Sequence, residues 1–517
     1  MPGTTAGDTV ADESVAALIG AQRALSEQDL HEEQRKSRIS DGHRLIRSVR
    51  RQPFALYSQS EFATKAVAMD ADYWLDSVVP TVRAAVSRSA AAKVDAALAR
   101  ARKRHGEYGT TRPGAPEVIA EALFDGKWFR TKKDHLTRAG LRDRIRAVIA
   151  RGEPVQLVFP VFSRKPYSPV KNRGTSPDTA ELHSLARCAA LAHVIDALSP
   201  TGCRFTILAD GRKYNRACRT PDPVVEEYQT TLRDWIAELD ASDVLRVTDY
   251  ERWLRDGLPG RLLQARAQHY AAWEKRLLTD YGALFDATDP QTSLGGRTGH
   301  DEVADQLLHT FWSIATSTNY EAFAAVREEH RGWTDEARRA YAYYVASLPR
   351  KLSRHGRRPD MGLGAGAGDD VTALHRTLRD EAWQAACRYV AISLTDRDLN
   401  LIRELAPDAV KLTIHGKPAE LHLVTATSKD ANMTAQHSTG GYVVRGGQTK
   451  ATFGYLVDRE ARGEVPVLIK GTPRHTDDAR YRSLARIEAA GQPIAYVDDA
   501  EPVLRRTLHR MLERTEV

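Results

Sequence analysis

Arg164, Lys165, Lys171 and Arg173 crowd a single loop, Ser163-Arg164-Lys165-Pro166-Tyr167-Ser168-Pro169-Val170-Lys171-Asn172-Arg173-Gly174. Some forty residues on, Asp210-Gly211-Arg212-Lys213 sets a carboxylate beside two more cations. Cations carried on a loop suit a phosphate or a carboxylate, and Arg adds a fork that fits either. One carboxylate among them, Asp210, is available to move a proton. Composition alone favours a plainer reading, a solvated basic loop and an ordinary Asp-Gly turn.

The elements around these residues change that balance. Val155 to Phe162 (VQLVFPVF) is a nearly continuous apolar run, which predicts a strand buried on both faces. Ser176-Pro177 predicts a helix start, Ser as N-cap and Pro at the first helical position. Leu182, Leu185, Ala189, Ile195 and Leu198 keep helical spacing until Pro200. Cys203 to Ala209 predicts a second buried strand, Asp222-Pro223 a second helix and Val244 to Val247 a third strand. Alternating strand and helix means a parallel sheet with right-handed crossovers. Both strand ends then open on one edge, where ligands bind. Topology therefore predicts Lys165, Lys171 and Arg173 near Asp210 and Arg212. The helix start at Pro177 would add free N–H groups.

The expected fold class is α/β: a modified Rossmann-like central parallel sheet, a helical N-terminal region and a β-rich C-terminal portion. The expected divisions are a disordered tail over 1–11, a helical region over 12–150 and the Rossmann-like core over 151–250. A helical insert ending in a Gly-rich linker (GLGAGAG) follows over 251–370, then an α+β portion over 371–517 that completes the site. In that last portion VKLTIH, LHLVTAT, GYVVRG, TKATFGYLVD and VPVLIKG alternate with turn residues, predicting an antiparallel meander or a mixed sheet. A closing helix is expected over Val503 to Arg514.

The chain has 517 residues, 42% hydrophobic and 28% charged, which fits a globular protein rather than a fibrous or disordered one. Its excess of 75 basic over 68 acidic residues, +7, hints at an anionic ligand without marking a nucleic-acid binder. Cys188, Cys203, Cys218 and Cys387 form no paired motif, so a cytoplasmic location is expected. No apolar stretch is long enough to span a membrane.

Pro160 to Lys171, with Gly174 and Pro177-Asp178-Thr179-Ala180-Glu181, resembles the signature P-x-F-P-F-K-S-x-N-x-x-K-x-x-G-x-x-P-D-x-x-E of the pyoverdine/dityrosine biosynthesis family, which includes the isonitrile synthases. Ala209-Asp210-Gly211-Arg212 is similar to the family's S-D-G-R. Glu381-Ala382-Trp383 with Lys411-Leu412-Thr413-Ile414-His415 resembles its E-A-W and R-L-S-I-H blocks, and Thr434-Ala435-Gln436-His437 its T-P-W-H block. The four blocks keep the family's order across about residues 150–497.

The resemblance implies an enzyme that joins an L-amino acid to ribulose 5-phosphate and leaves an isonitrile on the amino nitrogen. No metal or redox cofactor is implied; the sugar phosphate is a co-substrate. It implies catalytic roles for Lys165, Lys171, Asp210, His415 and His437, the histidines as proton carriers. It places substrate binding at Arg164, Ser168, Arg173, Asp178, Arg212, Lys213 and Lys417. The implied partners are an amino acid and a sugar phosphate, with no membrane and no nucleic acid expected and a homodimer left open.

The chain departs from the pattern where Ser163-Arg164 replaces Pro-Phe, Tyr167-Ser168 replaces a small residue and Asn, and Gly416-Lys417 replaces Pro-Gln. Thr434-Ala435-Gln436-His437 lacks the Pro and Trp. More charge and less aromatic surface predict an amino acid other than tyrosine or tryptophan: smaller, polar or acidic. Alternatives stay open. An N-formyl product of the dityrosine type would differ from an isonitrile by one water. A basic nucleic-acid-binding or scaffold protein would rest on Arg350–Arg358 and the basic run Thr81–Arg104, and would show salt-sensitive DNA binding.

Overall fold

Short runs rich in Val, Ile and Phe become strands, and they stay apolar along their whole length where other layers cover both faces. The computed structural model describes residues 67–104, 113–124, 129–130, 137–165, 175–218, 222–282, 302–317, 369–413, 421–423, 440–445, 448–453, 464–471 and 479–498. In chain order these form β1 (Val67–Asp70), α1 (Val79–Lys103), α2 (Ala115–Leu123), β2 (Phe129–Arg130), α3 (Arg138–Ala150), β3 (Val155–Val161), α4 (Thr179–Leu198), β4 (Cys203–Ala209), α5 (Gly211–Cys218), α6 (Asp222–Glu238) and β5 (Leu245–Asp249). There follow α7 (Tyr250–Gly257), α8 (Gly260–Asp280), α9 (Glu302–Ser317), α10 (Asp369–Leu399), α11 (Leu401–Leu405), β6 (Val410–Thr413), β7 (Leu421–Leu423), β8 (Gly440–Arg445), β9 (Gln448–Phe453), β10 (Glu464–Lys470), α12 (Ala479–Ala490) and β11 (Pro493–Asp498).

The central sheet has the order β2-β7-β6-β3-β4-β5. Its core, β6-β3-β4-β5, is all parallel, with Val161, Ala209 and Asp249 in register at the carboxyl ends of three successive strands. β7 runs parallel to β6, and β2 pairs antiparallel at the rim. The chain walks from β3 through β4 to β5, then returns to lay β6 on the opposite side of β3. That reversal is the switch point at which open α/β sheets hold ligands.

A second sheet, β1-β10-β11-β8-β9, mixes parallel and antiparallel pairs. Between the two sheets lies α4. Burial is not confined to the spaced positions Leu182, Leu185 and Ala189: every residue from Thr179 to Ala192 is buried. The reason is that α4 is enclosed: it packs on β4 and β5 of the central sheet, on β8 and β11 of the second, and on α1, α2 and α6. A helix with a layer on each side has no solvent face to leave polar.

Several expectations shift in detail. The stretch expected to be helical over 12–150 contributes β1 to one sheet and β2 to the other. The third strand of the core runs to Asp249, two residues beyond Val247. The N-cap of α4 is Asp178 rather than Ser176, because Asp178 accepts from Ala180 N at 2.8 Å while Glu181 accepts from Asp178 N at 2.8 Å. This reciprocal pair satisfies the first turn from within. The Ser176 backbone N–H donates to Gln492 Oε1 and its carbonyl accepts from Gln492 Nε2, tying this corner to the second sheet. The Gly-rich linker and the closing helix at Val503 to Arg514 lie outside the described residues.

Candidate active site

The site grows from the carboxyl edge of β3 and β4. After Val161 the chain turns at Phe162, buried and at φ 61°, which sends Ser163, Arg164 and Lys165 back across the strand ends. Gly211 then sits against them so tightly that a Cβ there would lie 2.2 Å from the Ser163 carbonyl oxygen and 2.6 Å from a Val225 methyl. Only glycine lets the two loops meet. Asp210-Gly211-Arg212-Lys213 is therefore not an open turn: α5 begins at Gly211, and Arg212 and Lys213 are helical. Gly211→Ala is expected to cost roughly 1–3 kcal/mol of overpacking and to pry the β3 loop off the β4 corner. A lowered Tm together with lost activity checks it; an unchanged Tm would contradict the close approach.

Lys165 does not stand free for an anion. It is buried, 1% exposed, and its Nζ is paired to Asp178 and, at 2.8 Å, to Glu181 Oε2. Tyr228 donates its hydroxyl to the other oxygen of Glu181 at 3.2 Å. Burial works against the Lys165 charge, but the two carboxylates outweigh it and hold the ammonium above its ordinary value. Burial drives Glu181 the other way for an acid, up to about 8, because two carboxylates against one ammonium would leave net negative charge in a dry place. The helix end expected to offer free N–H groups to a phosphate is thus capped by this chain's own acid.

Asp210 is different. Its Oδ1 is buried and has no hydrogen-bond partner among the described residues. Burial lifts its carboxyl to about 6 against the pull of Lys213, with Asp249 and Asp396 pushing in the same direction. Asp249, from the end of β5, accepts from Gln229 Nε2 at 2.9 Å and caps α7 by accepting from Arg252 N at 3.0 Å. Lys213 Nζ pairs with Asp396 at 2.8 Å and lies 4.6 Å from the Tyr250 ring centroid. Asp396 also takes the Tyr250 hydroxyl and Arg266 Nε, each at 2.9 Å. Tyr214, next to Lys213, stacks on Tyr389 of α10 with centroids 3.8 Å apart. Helix α10 is thereby pinned to the active edge. Arg212 turns to Glu226, 2.6 Å away.

Of the residues singled out from sequence, Arg164, Lys165, Asp178, Asp210, Arg212 and Lys213 come together at this edge. Lys171, Arg173, Ser168, His415, Lys417 and His437 lie outside the described residues. Glu181, Asp249, Asp396, Tyr228 and Gly211 were not singled out as site residues. Asp249 had a signal, an acid at the carboxyl end of a parallel strand, and Glu181 stands in the P-D-x-x-E block. Asp396, nearly two hundred residues from Lys213, had none. No helix among the described residues is long and apolar enough to cross a membrane.

Residues 145–289 match the sequence profile of the family described as pyoverdine/dityrosine biosynthesis protein. Over 101 residues the chain is 35% identical to an L-tyrosine isonitrile synthase of Pseudomonas aeruginosa, a segment covering 20% of this chain and 31% of that protein. Over 99 residues it is 30% identical to an L-tyrosine isonitrile synthase of Xenorhabdus nematophila, covering 19% of this chain and 30% of that protein. The match thus spans about a third of the length of these curated relatives. The crystal structure of the PvcA protein from Pseudomonas aeruginosa superposes with a TM-score of 0.41 at 21% identity, over 74% of this chain and 99% of that one.

Proposed function

We propose, from the match of residues 145–289 to the pyoverdine/dityrosine biosynthesis proteins, that this chain is an isonitrile synthase-like enzyme acting on the α-amino group of an L-amino acid with ribulose 5-phosphate. In this reading the amine condenses with the C2 ketone and water leaves. Phosphate loss and cleavage of both carbon–carbon bonds to C2, releasing C1 and the C3–C5 unit as carbonyl fragments, then leave C2 on the nitrogen.

The observation that carries the proposal is the Asp210 carboxyl: unpartnered at Oδ1 among the described residues, set at the carboxyl edge beside the switch point, and pushed up to about 6. A carboxylate with that value is mostly ionised at neutral pH yet basic enough to take a proton. Asp210 accepts the proton that the substrate ammonium must lose before it attacks the ketone, and returns it to the hydroxyl that departs as water. Lys213, held by Asp396, keeps positive charge near it. The trio Lys165, Asp178 and Glu181 fixes the β3 loop against the start of α4, and so fixes where the substrate meets Asp210. Lys171, Arg173, His415 and His437 remain the proposed further contacts.

The test is incubation with each of the twenty amino acids plus ribulose 5-phosphate, reading phosphate release and product mass. Phosphate release with an isonitrile product is the expected outcome. A product heavier by one water is a formamide and moves the chain to N-formyl chemistry. No phosphate release with any amino acid defeats the proposal.

A further inference from the structure

Among the described residues, each of the cations named at this edge except one is already matched by an acid. Lys165 has Asp178 and Glu181, Arg212 has Glu226, and Lys213 has Asp396. Arg164 is the exception. It is only 7% exposed, yet its Nη1 is buried without a hydrogen-bond partner among the described residues. An always-charged guanidinium taken out of water with an open donor is expensive, and proteins keep such a group where something else completes it.

Its place in the fold says what kind of thing. Arg164 follows Ser163, whose carbonyl abuts Gly211, and Gly211 follows Asp210. The unfilled donor and the unfilled Oδ1 of Asp210 thus stand on neighbouring loops at the carboxyl edge of β3 and β4, one cationic and one anionic. A molecule spanning the two would present an amine or hydroxyl to the carboxylate and an oxyanion to the guanidinium.

We propose that Arg164 is a substrate-recognition residue whose free donor binds an oxyanion, either the phosphate of the sugar or a carboxylate of the amino acid. This rests on the function proposed above only for what the ligand becomes afterwards, since binding is read without turnover. A protein that binds but makes no isonitrile keeps this inference and loses the reaction.

Calorimetry on the full chain tests it with inorganic phosphate and, separately, with L-glutamate and L-alanine. Arg164→Gln is expected to weaken one arm at least ~30-fold, as removing one partner of a buried charged pair does. Loss confined to phosphate assigns the sugar phosphate. Loss confined to glutamate, with alanine unaffected, assigns an acidic side chain, and equal loss for both amino acids assigns the α-carboxylate. Arg164→Lys, which keeps charge but not the fork, should fall between. The Tm of Arg164→Gln should stay level or rise, since an unmatched buried charge is removed. The inference is overturned if wild type binds none of the probes, if the variant binds them all as wild type does, or if Arg164→Gln loses its fold, which would mean that the guanidinium is a structural partner.

Discussion

Asp210→Asn is expected to lower kcat by about 10²–10⁴-fold, the usual contribution of a positioned proton carrier, while leaving the protein more stable. Both effects have one cause. Burial raises this carboxyl from 3.8 to about 6, so the folded chain holds its proton more tightly than the unfolded chain does. Stability is then full below about pH 4 and declines as the pH climbs through about 6, where the folded carboxyl finally ionises. A difference of about 2 units corresponds to at most about 3 kcal/mol at neutral pH, a cost the Asn variant escapes. Wild-type kcat/KM should rise through a pH near 6 and level off above it, because the base form does the work. The experiment is a pair of profiles, kcat/KM and Tm against pH, on wild type and Asp210→Asn. An Asn variant with wild-type kcat removes Asp210 from the chemistry, and one with a lower Tm makes it a structural acid.

That Asp210 would stand at this edge was legible in the residues. Two apolar runs separated by one helix demand a parallel pair, and parallel strands end on one side, so Val161 and Ala209 fall in register and Asp210 follows. Charge pairing was not legible. A basic loop reads as solvated because nothing in the local sequence says that Lys165 will be folded over the first turn of α4. Three strands of the second sheet, β8, β9 and β10, were legible as alternating runs, but that β1 joins them and that the sheet covers α4 was not. Its edge strand β1 is four residues long and its partner β10 lies about four hundred residues away. No local period could announce that pairing, and without it α4 reads as half-exposed. The corner at Gly211 was misread because Asp-Gly ordinarily makes a turn. Here the missing Cβ serves a close approach between loops, and a helix begins at once.

Lys165→Met is expected to unfold the edge rather than merely silence it. The loop reading assigned Lys165 to the substrate, which predicts lost turnover at unchanged Tm. The structure predicts otherwise, because removing the ammonium strands Asp178 and Glu181 together in a buried place. Breaking such a cluster typically costs about 3–5 kcal/mol, here a Tm drop of roughly 5–10 °C. Methionine fills much of the volume, so the loss reports charge rather than a cavity. The pH supplies a second, independent reading. Glu181 is raised from 4.5 to about 8, so its contribution is intact below about pH 4.5 and is lost as the pH rises through about 8. Wild-type Tm should therefore decline between about pH 4.5 and 8 and level off above, and Glu181→Gln should flatten that part of the curve. The double variant, Lys165→Met with Glu181→Gln, should recover part of the single variant's loss, since one of the two stranded acids is gone. If Lys165→Met instead keeps its Tm at every pH while turnover vanishes, the lysine reaches for a ligand after all, and the trio with Asp178 and Glu181 is not what anchors the β3 loop.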